Sequence, residues 1–450
     1  PWVPGTRFLV RISSWIDHLR SMPYGRPARP SEARDSQERD ARSTRLLCNA
    51  ELGSTTQAGE IMWEMSSKGV LPVSQSAWSL VVLSVCLSVY DASSAPGAEG
   101  GTLSAIPNDP LFGEQREFGQ MQVLEAWSIT RGSPKVLIGV VERGFDATHE
   151  EFQGGRIKEH RLPGMEHPRE WSHQAHGTQI VGQIGAEVNN GKGVAGLAPG
   201  CRIIVATTGT HESFETHTQE SAQEWNRLIG KKNGEAIRYL VDAGCKVINC
   251  SFTVGLTPAD AFEYAIAHDV VVVVGSGNFN RNSPQWPAGV LDVLCVGGVN
   301  SDGKRWVKPP IRHQGRDVIQ GSDYGKGLNV VAQCLDLVVC TPHDPTQAGV
   351  LPDSQWVVTG FGKARKGYLW KIGKGGTSNA APVASALAGL IRSLRPDLNC
   401  KEVIRIIEQG ANDLGVPGWD EETGFGRINF ARSLKIAQVW AKTGSTQQAD

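Results

Sequence analysis

Five short, mostly apolar runs, at residues 136–141, 202–206, 246–251, 270–274 and 293–296, punctuate the middle of this 450-residue chain. None shows strict polar alternation, so each reads as a strand covered on both faces. Longer stretches with helical spacing separate them, at 220–243 and 258–268, and an amphipathic stretch at 121–129 precedes the first. Alternating strands and helices bury such runs when the strands pair in parallel and the helices cover both sides. The predicted fold is therefore a three-layer α/β domain with a mostly parallel sheet. Three further helical stretches, 380–394, 401–409 and 429–440, follow. Reacting groups of such folds gather beyond the carboxyl ends of the strands and at the amino ends of the helices that follow.

The flanks read differently. Residues 1–64 hold nine arginines and no lysine among Pro, Ser and acidic residues, with little apolar periodicity; disorder or a gene-model extension is expected there. Residues 65–95 have the grammar of a secretory signal: Met65, the positive Lys68, an apolar run at 78–89, and the small residues Ala92, Ser93, Ser94 and Ala95. That run is shorter than the about 20 residues a bilayer crossing requires, so export is expected and a stable membrane span is not. Residues 438–450 read as a polar tail, leaving 106–437 as the folded domain, which is expected to act as a monomer. With 45 basic and 46 acidic residues the chain carries no basic footprint for nucleic acid. Beyond residue 96 stand Cys201, Cys245, Cys250, Cys295, Cys334, Cys340 and Cys400, an odd number placed mostly inside apolar runs. They read as small buried hydrophobes rather than a disulfide framework or a zinc cluster.

Three segments carry chemistry. Gly375-Gly376-Thr377-Ser378 precedes an apolar helical stretch, which puts a hydroxyl at a helix amino terminus. His176-Gly177-Thr178 likewise precedes an apolar segment, so a potential base is expected at a helix start. Glu142 ends the first strand and is followed by Arg143 and Gly144. Alone each has an ordinary alternative: Ser378 as a helix cap, His176 as a structural histidine, Glu142 as a surface carboxylate. A nucleotide-binding α/β protein is excluded by Glu142 and Arg143, which stand where a phosphate loop needs glycines.

Together the three segments resemble the subtilase family of serine peptidases, whose chain order is acid, histidine, serine. Asn108, Asp109, Pro110, Gln115 and Trp127 are similar to the approach of its thermitase-like branch. Asn189, Asn190, Gly193 to Gly196, Ala198 and Pro199 match its turn after the histidine helix. Val247, Ile248, Asn249 and Ser251 match its substrate strand, Gly277 and Asn278 its oxyanion segment, and Gly424, Gly426, Arg427 and Asn429 its closing segment. The resemblance implies a serine endopeptidase acting on polypeptide substrates, with Ser378 as nucleophile, His176 as general base, Glu142 as the orienting acid and Asn278 as oxyanion donor. It implies a peptide groove between Ser251, Phe252 and Thr253 on one side and residues 274–277, including Gly277, on the other. It also implies a structural Ca²⁺ held by oxygen ligands from Asp109, Glu151 and Asn190.

Departures accompany the likeness. The family pattern wants aspartate at Glu142, and the extra methylene moves the carboxylate by about 1.5 Å, so it must fold back or displace the imidazole unless the backbone retreats. Arg143 is expected either to pair with Glu142 or to face solvent, and Asp146 reads as structural. Thr253 replaces a glycine at the entrance to the primary pocket. Residues 301–321 and 342–374 exceed the compact family members. The alternative to an active enzyme is an impaired pseudo-protease serving as a peptide-binding or scaffold module.

Overall fold

The computed structural model describes residues 106–441 apart from 167–170, 210–218, 253–255, 314–315, 343–356, 360–361, 365–369 and 373–374, all within one unit, Gly101–Asp450. The expected disordered stretch, the signal-like segment, Thr253 and most of the tail lie outside the described residues.

Strands β1 (Leu137–Glu142), β2 (Ile157–Arg161), β3 (Arg202–Thr207), β4 (Val247–Cys250), β5 (Val271–Gly275), β6 (Leu294–Val299) and β9 (Val330–Gln333) form one seven-stranded sheet in the order β2-β3-β1-β4-β5-β6-β9. Every pairing in it is parallel. Successive side chains of a strand point to opposite faces, and both faces are dry here. Val271 and Val273 join one apolar core, while Val272 and Val274 join the other. That division is why the strands read as unbroken apolar runs.

Helices α1 (Glu117–Gln120) and α2 (Val123–Trp127) precede the sheet. On one face lie α3 (Trp171–Gly185), α6 (Thr377–Leu394), α7 (Cys400–Gly410) and α8 (Phe430–Val439); the other core is shared by α4 (Gln219–Asp242) and α5 (Ala259–Ala267). The three-layer architecture is the expected one. Strand β2 carries Ile-Lys-Glu-His-Arg at a half-exposed sheet edge, which hid it from an apolar-run reading. Two longer loops of the sequence contain strands of their own. A hairpin of β7 (Ile311–His313) and β8 (Arg316–Val318) lies in 301–321; β11 (Val357–Thr359), β12 (Gly362–Ala364) and β13 (Trp370–Ile372) lie in 342–374 and form a four-stranded sheet with β10 (Val338–Cys340), which precedes that segment and packs on α3. All seven cysteines of the domain are buried and free.

One buried carboxyl is left without compensation. Burial pushes Glu117 on α1 up to about 8, and its Oε2 has no hydrogen-bond partner. Between the ordinary value of 4.5 and about 8 the folded chain keeps a proton that the unfolded chain releases. Its contribution to stability is therefore fully present below pH 4.5 and is lost as pH rises through about 8. In thermal unfolding followed across pH, Glu117→Gln is expected to leave the melting temperature near pH 4 unchanged and to raise it at pH 9, by the equivalent of a few kcal/mol of stability at most.

Candidate active site

Parallel pairing brings the ends of β1, β4 and β5 to one edge of the sheet, and Glu142, Ser251 and Asn278 lie at or just beyond those ends. Glu142 is the last residue of β1 and pairs with Thr207 in register, while its carbonyl accepts from Thr208 N–H at 2.8 Å. Its side chain is buried, and both carboxylate oxygens face His176 Nδ1, at 3.0 and 2.9 Å. The longer acid thus meets the imidazole with its two oxygens straddling one nitrogen. The histidine side chain is 43% exposed against 3% for the glutamate, so the acid is enclosed while the ring reaches the surface.

Gly177 permits this approach. A β-carbon there would collide with the Gly144 carbonyl oxygen and press on Glu142 Cβ, so the turn after β1 lies directly against α3. Thr178 Oγ1 ties the two together, accepting from Asp146 N–H at 3.0 Å and donating to the Gln174 carbonyl at 2.8 Å. Helix α3 begins at Trp171, so His176 sits more than a turn inside it, not at a helix start. Residues 171–175, Trp-Ser-His-Gln-Ala, contain no helix breaker and simply extend the helix backwards. The guanidinium of Arg143 stands 5.5 Å from the Trp225 ring centroid on α4, a cation–π contact that sequence reasoning did not anticipate. Asp146 is a turn residue: its Oδ1 accepts from Thr148 N–H at 2.9 Å and from Thr148 Oγ1 at 2.6 Å.

Ser378 is the second residue of α6, whose cap is Gly376. The hydroxyl is therefore not the helix cap. Gly375 and Gly376 take φ of 94° and 139°, and a β-carbon at Gly375 would collide with Leu335, which accounts for the glycine pair. Helix α3 reaches the same end of α6 through Gln183 Nε2, which donates to Asn379 Oδ1 at 3.0 Å.

Asn278 follows β5 by way of Gly277, whose φ is 114°. Its Oδ1 accepts from Thr377 N–H at 2.8 Å and from Thr377 Oγ1 at 3.1 Å. With the carbonyl oxygen so committed, the amide nitrogen is the donor left to a ligand. Thr377, between the glycines and the serine, is the orienting residue the sequence reading passed over. Ser251 Oγ donates to the Ser378 carbonyl at 2.9 Å and accepts from Asn249 Nδ2 at 2.9 Å, while Asn249 Oδ1 accepts from Ser385 Oγ at 2.9 Å. The side chain expected to line the groove thus also anchors the first turn of α6. Phe252 is half-buried against the core shared by α4 and α5. Asp323 is a further residue missed from sequence: it is 1% exposed, and its Oδ1 accepts from Phe279 N–H and Arg281 N–H, both at 2.9 Å. Burial raises its carboxyl above the ordinary value, against the lowering effect of those two bonds.

Asp109, Glu151 and Asn190 come together. Asn190 donates its N–H to Asp109 Oδ1 at 3.2 Å and its Nδ2 to Glu151 Oε2 at 2.8 Å; Asn189 N–H and Val194 N–H, each at 3.0 Å, take the other carboxylate oxygens. Burial raises Asp109 and lifts Glu151 to about 8, with the charge of Asp109 adding to the second shift. Among the described residues no group of three or more His, Cys, Asp or Glu side chains is gathered for a metal ion. The two neighbouring buried carboxylates are hard oxygen ligands of the kind Ca²⁺ takes, and a positive charge would relieve their mutual repulsion, while Asn190 turns its amide nitrogen to Glu151 and its Oδ1 to Lys192 N–H. Also among the described residues, no helix is long and apolar enough to cross a membrane.

A parallel three-layer sheet with a carboxylate–histidine pair at its carboxyl edge and a serine on the neighbouring helix terminus is the framework of a serine-type hydrolase. Residues 133–426 match the subtilase family model, and the chain belongs to that family of serine peptidases. It is 28% identical over 329 residues to the thermophilic serine proteinase of Bacillus sp. (strain AK1), covering 72% of this chain and 68% of the relative. With thermitase of Thermoactinomyces vulgaris it shares 28% identity over 336 residues, covering 73% of this chain and 99% of thermitase. The crystal structure of fervidolysin from Fervidobacterium pennivorans, described as a keratinolytic enzyme related to subtilisin, superposes with a TM-score of 0.51 at 21% identity, over 75% of this chain and 48% of that one. The last likeness bears on the fold alone. Family membership implies polypeptide substrates.

Because the turn after β1 rests on the bare Cα of Gly177, Gly177→Ala is expected to force it away from α3. Denaturant unfolding should show a loss of about 2 kcal/mol or more, whereas Gly119→Ala, in the helical backbone of α1 where an added β-carbon meets no atom, should cost markedly less.

Proposed function

We propose that this chain is an active serine endopeptidase of the extracytoplasmic space, working as a monomer and stabilised by Ca²⁺. The observation that carries the reading is the paired contact of Glu142 with His176 Nδ1, at 3.0 and 2.9 Å. A carboxylate on Nδ1 selects the tautomer with the proton there, which leaves the Nε2 lone pair as the base. His176 takes the proton of Ser378 as the hydroxyl attacks the scissile carbonyl, and Glu142 stabilises the imidazolium that forms. Asn278 Nδ2 and the backbone N–H of Ser378 donate to the oxyanion; the helix dipole of α6 has the right sign to assist. His176 returns the proton to the leaving amine, and a water repeats the sequence to release the acyl group. An extended substrate is bound along Ser251, Phe252, Thr253 and Gly277 by strand addition.

Asp109, Glu151 and Asn190 would hold the Ca²⁺, which supplies charge neutralisation and ties the segment before α1 to the loop after α3. Export rests on the signal-like grammar of residues 65–95.

In the presence of calcium the purified chain is expected to cleave an unstructured protein substrate. Ser378→Ala and His176→Ala should abolish turnover, Glu142→Ala should lower kcat by about 10⁴-fold, and Asn278→Ala by about 100- to 1000-fold. Glu142→Asp should retain activity. An inert natural chain together with an active Glu142→Asp would overturn the reading in favour of a peptide-binding pseudo-protease.

Calcium is expected to raise the melting temperature, by the equivalent of about 2.7 kcal/mol at a hundredfold excess over its Kd, and Glu151→Gln should remove most of that rise. A melting temperature indifferent to calcium would sink the cation site and leave the catalytic assignment untouched.

A further inference from the structure

The segment that carries Asn278 leaves β5 and ends, by residue 281, wrapped around one buried carboxylate. Asp323 Oδ1 accepts from the N–H groups of Phe279 and Arg281, the first and third residues after Asn278, both at 2.9 Å. Its own N–H donates to the Gly277 carbonyl at 2.9 Å, and its carbonyl accepts from Ser276 Oγ at 2.7 Å. Its second oxygen, Oδ2, fills the space where a β-carbon of Gly277 would stand. The N–H of the next residue, Tyr324, donates to the Arg281 carbonyl at 2.9 Å. Residues 276, 277, 279 and 281 are thus each bonded to Asp323 or to the residue after it, and Asn278 is bracketed by them.

We propose that Asp323 is a positioning residue for the oxyanion donor: by gathering the backbone on both sides of Asn278 it holds the Nδ2 donor at the place where the oxyanion develops. The inference rests on the function proposed above. Thr377 sets the rotation of the Asn278 amide, and Asp323 sets where that amide starts from. Two N–H groups on one buried acceptor make a stiffer anchor than a loop bonded to water, and a donor misplaced by about 1 Å costs on the order of 100-fold. Asp323 itself touches no reacting atom, so its effect passes through Asn278 and disappears when Asn278 is gone.

That dependence is the test. The full chain with Asp323→Ala is expected to lose about 10- to 100-fold in kcat with KM within about twofold of the natural value. Asp323→Asn, which keeps an acceptor for the two N–H groups, should recover most of the loss. In an Asn278→Ala background Asp323→Ala should cost nothing further, because the donor it positions is absent. If Asp323→Ala does not fold, Asp323→Ser, with a shorter acceptor, takes its place in the same cycle. Losses that multiply in the double variant, or an Asp323 variant with unaltered kcat, overturn the inference alone. Hydrolysis that is absent from the natural chain, or that survives Ser378→Ala, overturns the proposed function and the inference with it.

Discussion

Helix α6 is the part on which everything else bears. From Thr377 to Arg392 nearly every residue is buried, and the helix packs on β4, β5, β6 and β9 beneath it and on α3, α7 and α8 around it. A helix buried all round needs partners on every side, so the place of α6 depends on both the sheet beneath it and the outer helices around it. Ser378 therefore stands on the most constrained element of the molecule. The Ser385–Asn249–Ser251 chain of hydrogen bonds ties its first turn to the sheet edge, and Gln183–Asn379 ties it to the helix of His176. Precision at the serine is a property of the core.

The acid shows how a local departure from a pattern is absorbed. An extra methylene at Glu142 would misplace a carboxylate that had to reach Nδ1 with one oxygen. Here the turn after β1 is pressed onto α3 at Gly177, and the carboxylate presents both oxygens to the nitrogen, at nearly equal distances. The neighbouring Arg143 is engaged by Trp225 on α4, from the opposite layer of the sandwich. The charge that stood to compete for Glu142 thus has an aromatic partner of its own.

The segment of Asn278 is held in a different way. Asn278 sits in a loop, yet its carbonyl oxygen is taken by Thr377 and its flanking backbone by Asp323. Both anchors are distant in sequence, and the glycines at 277, 375 and 376 are what let the segments approach. Conformational freedom is spent at three positions so that the side chains between them have little.

Read alone, the amino-acid sequence determined the layer architecture, because continuous apolar runs alternating with helical spacing are a local property of strands buried on both faces. It likewise marked Glu142, His176, Ser378 and Asn278 as candidates, since glycine turns and strand ends punctuate the chain beside them. It missed β2, whose half-exposed edge position needs no apolar run, and it put His176 at a helix start because the mixed residues 171–175 carry no clear apolar periodicity. The two-oxygen contact of Glu142 with His176 Nδ1, the contact of Arg143 with Trp225, and the hydrogen bonds of Thr377 and Asp323 to the segment of Asn278 were decided only by the tertiary structure. Each joins segments tens of residues apart, and a sequence records spacing along the chain but not which spaces between chains of atoms are left empty for a partner to fill.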